Sequence, residues 1–107
     1  MKKTKRTRLE ARGWRVGSAK DFLGLSPEEA ALVETRLALS QALRARRVAH
    51  GFTQGELARR LKSSQSRVAK MEAGDRSVSV DLLVKALFSL GAKPRDVGRA
   101  LQRRRAA

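Results

Sequence analysis

The 107-residue chain contains no cysteine and no tyrosine, one histidine, one tryptophan, two prolines and three phenylalanines. Without cysteine there is neither a disulfide framework nor a thiolate metal site, and one histidine, His50, cannot form a His-rich catalytic or metal-binding cluster. A reducing, cytoplasmic setting with no metal and no cofactor is the expectation. Long hydrophobic runs are absent too: uncharged stretches such as Leu37 to Leu43 and Ala86 to Ala92 are only seven residues each, against the ~20 needed to cross a bilayer. The basic start Met1-Lys2-Lys3-Thr4-Lys5-Arg6 is followed by no apolar segment, which argues against a secretory signal. Acidic residues are scarce, 10 against 25 Lys and Arg, for a net charge of +15. An excess of this size exceeds what solubility requires and points to a polyanionic partner.

The positive charge is unevenly spread. Residues 1–20 hold eight basic and one acidic residue, whereas residues 21–43 hold four acidic residues and only Arg36 against them. Residues 44–80 hold nine basic and three acidic, residues 81–92 are balanced, and residues 93–107 hold six basic and one acidic. The expected organisation is a basic flexible arm over 1–13, a single helical domain over 14–101 and a basic tail over 102–107. Arm and tail should chiefly set association rate and salt dependence. Only the central positive block lies within core-forming sequence.

Ser26-Pro27-Glu28-Glu29 reads as a helix start, with Ser26 as cap, Pro27 where its missing N–H is harmless and Glu29 closing a capping box. Helical spacing of apolar residues then continues through Ala30, Leu32, Val33, Leu37, Leu43 and Val48 to Gly51, predicting one helix of about 36 Å. A second box at Thr53-Gln54-Gly55-Glu56 predicts a short helix over 54–61, with Phe52 and Leu57 placed as a hydrophobic staple. Ser64 caps a third helix over 65–73 that ends at Gly74. Ser79 caps a fourth, with Leu82, Leu83, Ala86, Leu87 and Leu90 as its apolar stripe, and Pro94 opens a fifth. Upstream, Trp14, Val16, Phe22, Leu23 and Leu25 are interrupted by Gly13, Gly17 and Gly24, so a short extended piece followed by a helical turn is expected there. It serves either as a cover strip on the first helix and the core or as a partner-binding or dimerising surface.

Two helices joined by Lys62-Ser63-Ser64 have the layout of a helix-turn-helix, whose second helix enters the DNA major groove. The third helix opens with Gln65, Ser66 and Arg67 and carries Lys70 one turn on, while Val68 and Met71 fall on the opposite side. Gln can pair with adenine, Lys or Arg with guanine, and Ser with either. A catalytic reading has little to stand on: no nucleophile is spaced from a base, there is no phosphate loop, and Glu29 and Glu56 are occupied as caps. The chain is therefore expected not to be an enzyme. A non-specific architectural nucleic-acid binder is the other nucleic-acid reading, but pure phosphate binding needs only charge, not an ordered polar array at a helix start.

Gly51-Phe52-Thr53-Gln54, Glu56-Leu57-Ala58, Ser64-Gln65-Ser66, Val68, Met71-Glu72-Ala73-Gly74 and the helix from Ser79 to Leu90 together resemble the lambdoid phage repressor and Cro family, also called the XRE family. The resemblance covers residues 37–101, with the helix-turn-helix at 53–74. It implies an all-α, five-helix lambda-repressor-like domain, here with an extended N-terminal segment, that binds double-stranded operator DNA as a homodimer. By position it implies that Gln65, Ser66 and Lys70 read bases, that Gln54, Lys62, Ser64, Arg67, Arg76 and Ser77 touch phosphates, and that Arg47 and Glu72 form an ion pair. Lys62 departs from the family, which usually has glycine at that turn; a left-handed backbone there would cost about 1 to 2 kcal/mol. The segments Gly13-Trp14-Arg15-Val16-Gly17-Ser18 and Phe22-Leu23-Gly24-Leu25-Ser26-Pro27-Glu28-Glu29 narrow the resemblance to HigA-type antitoxins and related regulators. That implies a repressor of its own operon with a RelE/HigB-like RNA-cleaving toxin as partner; standalone XRE-family repressors share the same segment.

Overall fold

The computed structural model describes residues 24–106. The expected arm over 1–13 and the extended piece upstream of Gly24 lie outside them. Every regular element among the described residues is an α-helix: α1 (Pro27–Ala49), α2 (Gln54–Leu61), α3 (Gln65–Ala73), α4 (Val80–Ser89) and α5 (Pro94–Ala106). The chain divides into two compact units, residues 1–34 and 35–107. In the first, the predicted box opens α1: Ser26 Oγ accepts from the Glu29 amide at 3.1 Å and Glu29 Oε1 from the Ser26 amide at 2.9 Å. The second unit holds the rest of α1, the other four helices and the core.

Most of the helical spacings lead into the core, although Leu32 and Val48 of the first pattern are exposed. Leu39 and Leu43 of α1, Leu57 and Ala58 of α2, Val68 and Met71 of α3, Val78, and Leu83, Ala86 and Leu87 of α4 with Leu90 and Ala92 after it are all buried in one cluster. Each buried Leu or Val contributes about 1.5 to 3 kcal/mol relative to exposure. Phe52, Leu61, Leu82, Val97 and Leu101 pack around it. Ala58, 4% exposed, is the smallest side chain that α2 contributes to the cluster.

Four helix ends share one left-handed cap. After α1 the amides of Gly51 and Phe52 donate to the carbonyls of Val48 and Arg47, and after α3 those of Gly74 and Asp75 donate to Met71 and Lys70. Gly91 and Ala92 do the same for Phe88 and Leu87 after α4, and Lys62 and Ser63 for Arg59 and Ala58 after α2. This pair of bonds satisfies carbonyls the helix leaves unpaired and needs a left-handed residue at its centre. Glycine supplies it three times; Lys62, with φ of 56°, is the one non-glycine residue of positive φ among those described.

Two helix ends carry features that the local sequence does not show. His50 Nε2 lies 2.9 Å from the carbonyl of Leu90. A carbonyl can only accept, so Nε2 carries the proton and caps α4. The imidazole stacks on Phe52 at 5.6 Å, and the Arg60 guanidinium lies over the same ring at 5.4 Å. The fifth helix continues to Ala106, so residues 102–106, assigned to the basic tail from composition, are helical. Arginine is a good helix former, and Lys93 and Asp96 open this helix with a box-like pair in which Asp96 Oδ2 accepts from the Lys93 amide at 2.8 Å.

Candidate nucleic-acid interface

Helices α2 and α3 are held at fixed ends. Thr53 and Glu56 form the predicted capping box, the Glu56 amide donating to Thr53 Oγ1 at 3.0 Å and the Thr53 amide to Glu56 Oε1 at 2.7 Å. The Thr53 amide is the main cause that holds the Glu56 carboxyl below the usual carboxylate range. At the other end of the pair, Ser64 Oγ accepts from the Arg67 amide at 3.2 Å and lies 3.2 Å from Ser66 Oγ. Between them the left-handed Lys62 turns the chain with its own side chain exposed.

The start of α3 is sharply two-sided. Val68 and Met71 are 0% and 1% exposed, whereas Gln65, Ser66, Arg67 and Lys70 are all exposed and no acidic residue occupies the first turn. Of the expected base readers, Gln65 and Ser66 are therefore exposed at the helix end where unpaired N–H groups favour an anion, and Lys70 is exposed in the last turn. Lys62, Ser64, Arg76 and Ser77 are exposed as well. Arg76 and Ser77 project from the loop between α3 and α4. There the Ser77 amide donates to Asp75 Oδ1 at 2.8 Å and the Val78 amide to the Asp75 carbonyl at 3.1 Å. Hydrogen bonds from the Ser77 hydroxyl and then its amide keep the Asp75 carboxyl below the usual range.

Behind this surface lies a polar chain that sequence alone does not order. Arg47 at the end of α1 donates through Nε to Glu72 Oε2 at 2.5 Å, through Nη2 to Glu72 Oε1 at 3.0 Å and through Nη1 to the Phe52 carbonyl at 2.7 Å. The side chains of Arg47 and Glu72 are 12% and 4% exposed. Hydrogen bonding to Glu72 raises the Arg47 pKa despite its burial. Gln54 Nε2 donates to Glu72 Oε1 at 3.1 Å, and Gln54 Oε1 accepts from Gln65 Nε2 at 3.4 Å. Because a carboxylate only accepts, Glu72 fixes which way the Gln54 amide points. The half-buried Gln54 thus connects a buried ion pair to the first residue of α3. Sequence reasoning missed two further interactions. The Asp75 turn could have been read from Asp followed by an Arg-Ser pair; the donation from Arg36 Nε to the Val78 carbonyl at 3.1 Å joins residues too far apart for any local signal.

Residues 43–95 match the family model described as helix-turn-helix. This part of the chain belongs to that family. The match runs from the end of α1 through α4 to the opening of α5, and in the helix-turn-helix so defined α3 is the recognition helix and α2 the helix that precedes it. The domain is of the XRE type, a DNA-binding regulatory domain. Comparison with curated proteins and with solved structures gives no match. No helix among the described residues is long and apolar enough to cross a membrane, and no three or more His, Asp or Glu residues among them are grouped so as to hold a metal ion.

Proposed function

We propose that the chain is a sequence-specific transcriptional repressor that binds operator DNA as a homodimer. The observation that carries this reading is the two-sided start of α3, with Gln65, Ser66 and Lys70 exposed over buried Val68 and Met71. Gln65, Ser66 and Lys70 read base edges in the major groove; Gln54, Lys62, Ser64, Arg67, Arg76 and Ser77 hold phosphates. Gln54 does so while its amide also orients Gln65. The resemblance of residues 13–18 and 22–29 to HigA-type proteins supports a finer role, that of an antitoxin which represses its own operon and neutralises a RelE/HigB-like ribonuclease.

Selection of binding sites from a random duplex library tests the repressor reading. A palindromic consensus is expected, and equal binding to all sequences would overturn it. On the selected site, Gln65→Ala or Lys70→Ala costs about 1 to 3 kcal/mol and relaxes discrimination at one base pair, whereas Arg76→Ala weakens selected and scrambled duplexes alike. Co-purification from the native host, with the neighbouring open reading frames recorded, tests the antitoxin role. A small ribonuclease that the chain inhibits supports it; a chain that represses with no such partner is a standalone regulator.

A further inference from the structure

Arg36 stands apart from the other cations of the chain. It is the single basic residue of the acidic stretch 21–43, and it is half-buried in the middle of α1. Its Nε–H donates at 3.1 Å to the carbonyl of Val78, 42 positions away. Val78 immediately precedes Ser79, the cap of α4, whose hydroxyl accepts from the Leu82 amide at 3.1 Å. The Val78 carbonyl lies before the helix and belongs to none of the i to i−4 bonds of α4. Its side chain, 1% exposed, is anchored in the core. Immediately before it stand Arg76 and Ser77, both exposed, in a turn closed on Asp75.

We infer that Arg36 is a positioning residue for DNA binding: through its donor to the Val78 carbonyl it holds the 75–79 loop so that Arg76 and Ser77 meet the phosphate backbone. This rests on the reading of that loop as a phosphate-binding element. The Asp75 turn restrains the loop internally, and Arg36 ties its backbone to α1, the helix whose Leu39 and Leu43 are sunk in the core. The loop therefore meets DNA already ordered, and the cost of immobilising it is met in folding rather than in binding. The role belongs to the Nε–H at the end of the aliphatic stem, not to the positive charge.

Side-chain geometry provides the test. Gln places its amide nitrogen as many bonds from the backbone as Arg places Nε, so R36Q keeps a donor and loses the charge; R36M matches the stem and has no donor. Affinity for a duplex selected on the wild-type protein, and for a scrambled duplex, is measured by anisotropy over a range of salt. R36M is expected to weaken both duplexes by the same factor and to lower the salt slope by about 0.9 for each phosphate that the loop no longer engages. R36Q should keep wild-type affinity and slope. In an Arg76→Ala background the effect of R36M should shrink to what the Ser77 contact contributes. A weakening by R36Q equal to that by R36M, or additivity with Arg76→Ala, would make Arg36 a direct phosphate ligand and overturn the inference. So would wild-type binding by R36M, or weaker binding with an unchanged slope, which marks general destabilisation. If R36M does not fold, R36Q decides alone, through retained or weakened binding. Wild-type binding by Arg76→Ala would instead remove the phosphate-binding reading of the loop itself.

Discussion

Lys62 occupies a backbone conformation that the other left-handed caps give to glycine. Its φ of 56° carries a cost of about 1 to 2 kcal/mol for an L-residue, part of which glycine returns through its greater freedom in the unfolded chain. Lys62→Gly is therefore expected to stabilise the protein by about 1 kcal/mol, raising the melting temperature by roughly 4 to 8 °C. The same substitution should lower the salt slope of DNA binding if the exposed ammonium meets a phosphate. Gly74 is the opposite case. An added Cβ there would sit 2.9 Å from Leu37 Cδ2 in addition to the left-handed strain at φ of 73°, so Gly74→Ala should cost about 2 kcal/mol in thermal or denaturant unfolding. The position of the turn at Lys62 follows from the two flanking caps and is legible in the sequence. Whether its backbone is left-handed or the turn wider is not, because that depends on how α2 and α3 pack.

Among the elements, the link between α1 and α3 has the most to explain. The Arg47–Glu72 pair is too buried to be a surface ornament, and removing one partner strands the other: Arg47→Ala should cost about 3 kcal/mol. Replacing both, Arg47→Met with Glu72→Leu, should leave stability near that of the parent, because two desolvated charges are exchanged for apolar packing. Operator affinity should nonetheless fall in the double variant, since the Gln54 amide is deprived of the acceptor that orients it toward Gln65. Unfolding curves and binding isotherms on the same three proteins check both halves. Equal losses of stability in single and double variants would show that the pair stabilises the fold outright. Sequence spacing made the five helices legible, four of them through their caps: Ser26, Thr53, Ser64 and Ser79 each precede a helix start. It could not predict that His50 caps α4 at Leu90 or that Arg36 reaches Val78, because each hydrogen bond joins residues 40 or more positions apart.

At the scale of the whole molecule, charge separates stability from binding. Glu56, Asp75 and Asp96 each have a carboxyl held below its ordinary value by hydrogen bonds from nearby groups, chiefly the Thr53 amide, Ser77 and the Lys93 amide respectively. A lowered folded-state pKa contributes stability that is complete above the unfolded value and is lost as the pH falls through the folded one. Stability from these caps should therefore be constant above about pH 5 and decline below the ordinary values of 4.5 for Glu56 and 3.8 for the two aspartates. In the same acid range the neutralisation of carboxylates leaves the basic chain still more positive, and self-repulsion adds to the decline. Denaturant unfolding as a function of pH checks the window; a stability that falls already between pH 7 and 5 would place the controlling group elsewhere.

Local and periodic features are written along the chain itself. Capping residues sit within three positions of the amides they serve, and the apolar stripes recur every three or four residues, so helix starts, core faces and the polar start of α3 could all be read along one dimension. The segregation of the +15 charge was equally legible, and it already directed attention to the central block as the place for sequence-reading chemistry. Packing in three dimensions settled the rest. It set the left-handed turn at Lys62, the run of hydrogen bonds from Arg47 through Glu72 and Gln54 to Gln65, and the tie from Arg36 to the loop that carries Arg76. Each of these depends on distances between helices, and those distances are fixed only when the buried leucines of α1, α2 and α4 close on Val68 and Met71.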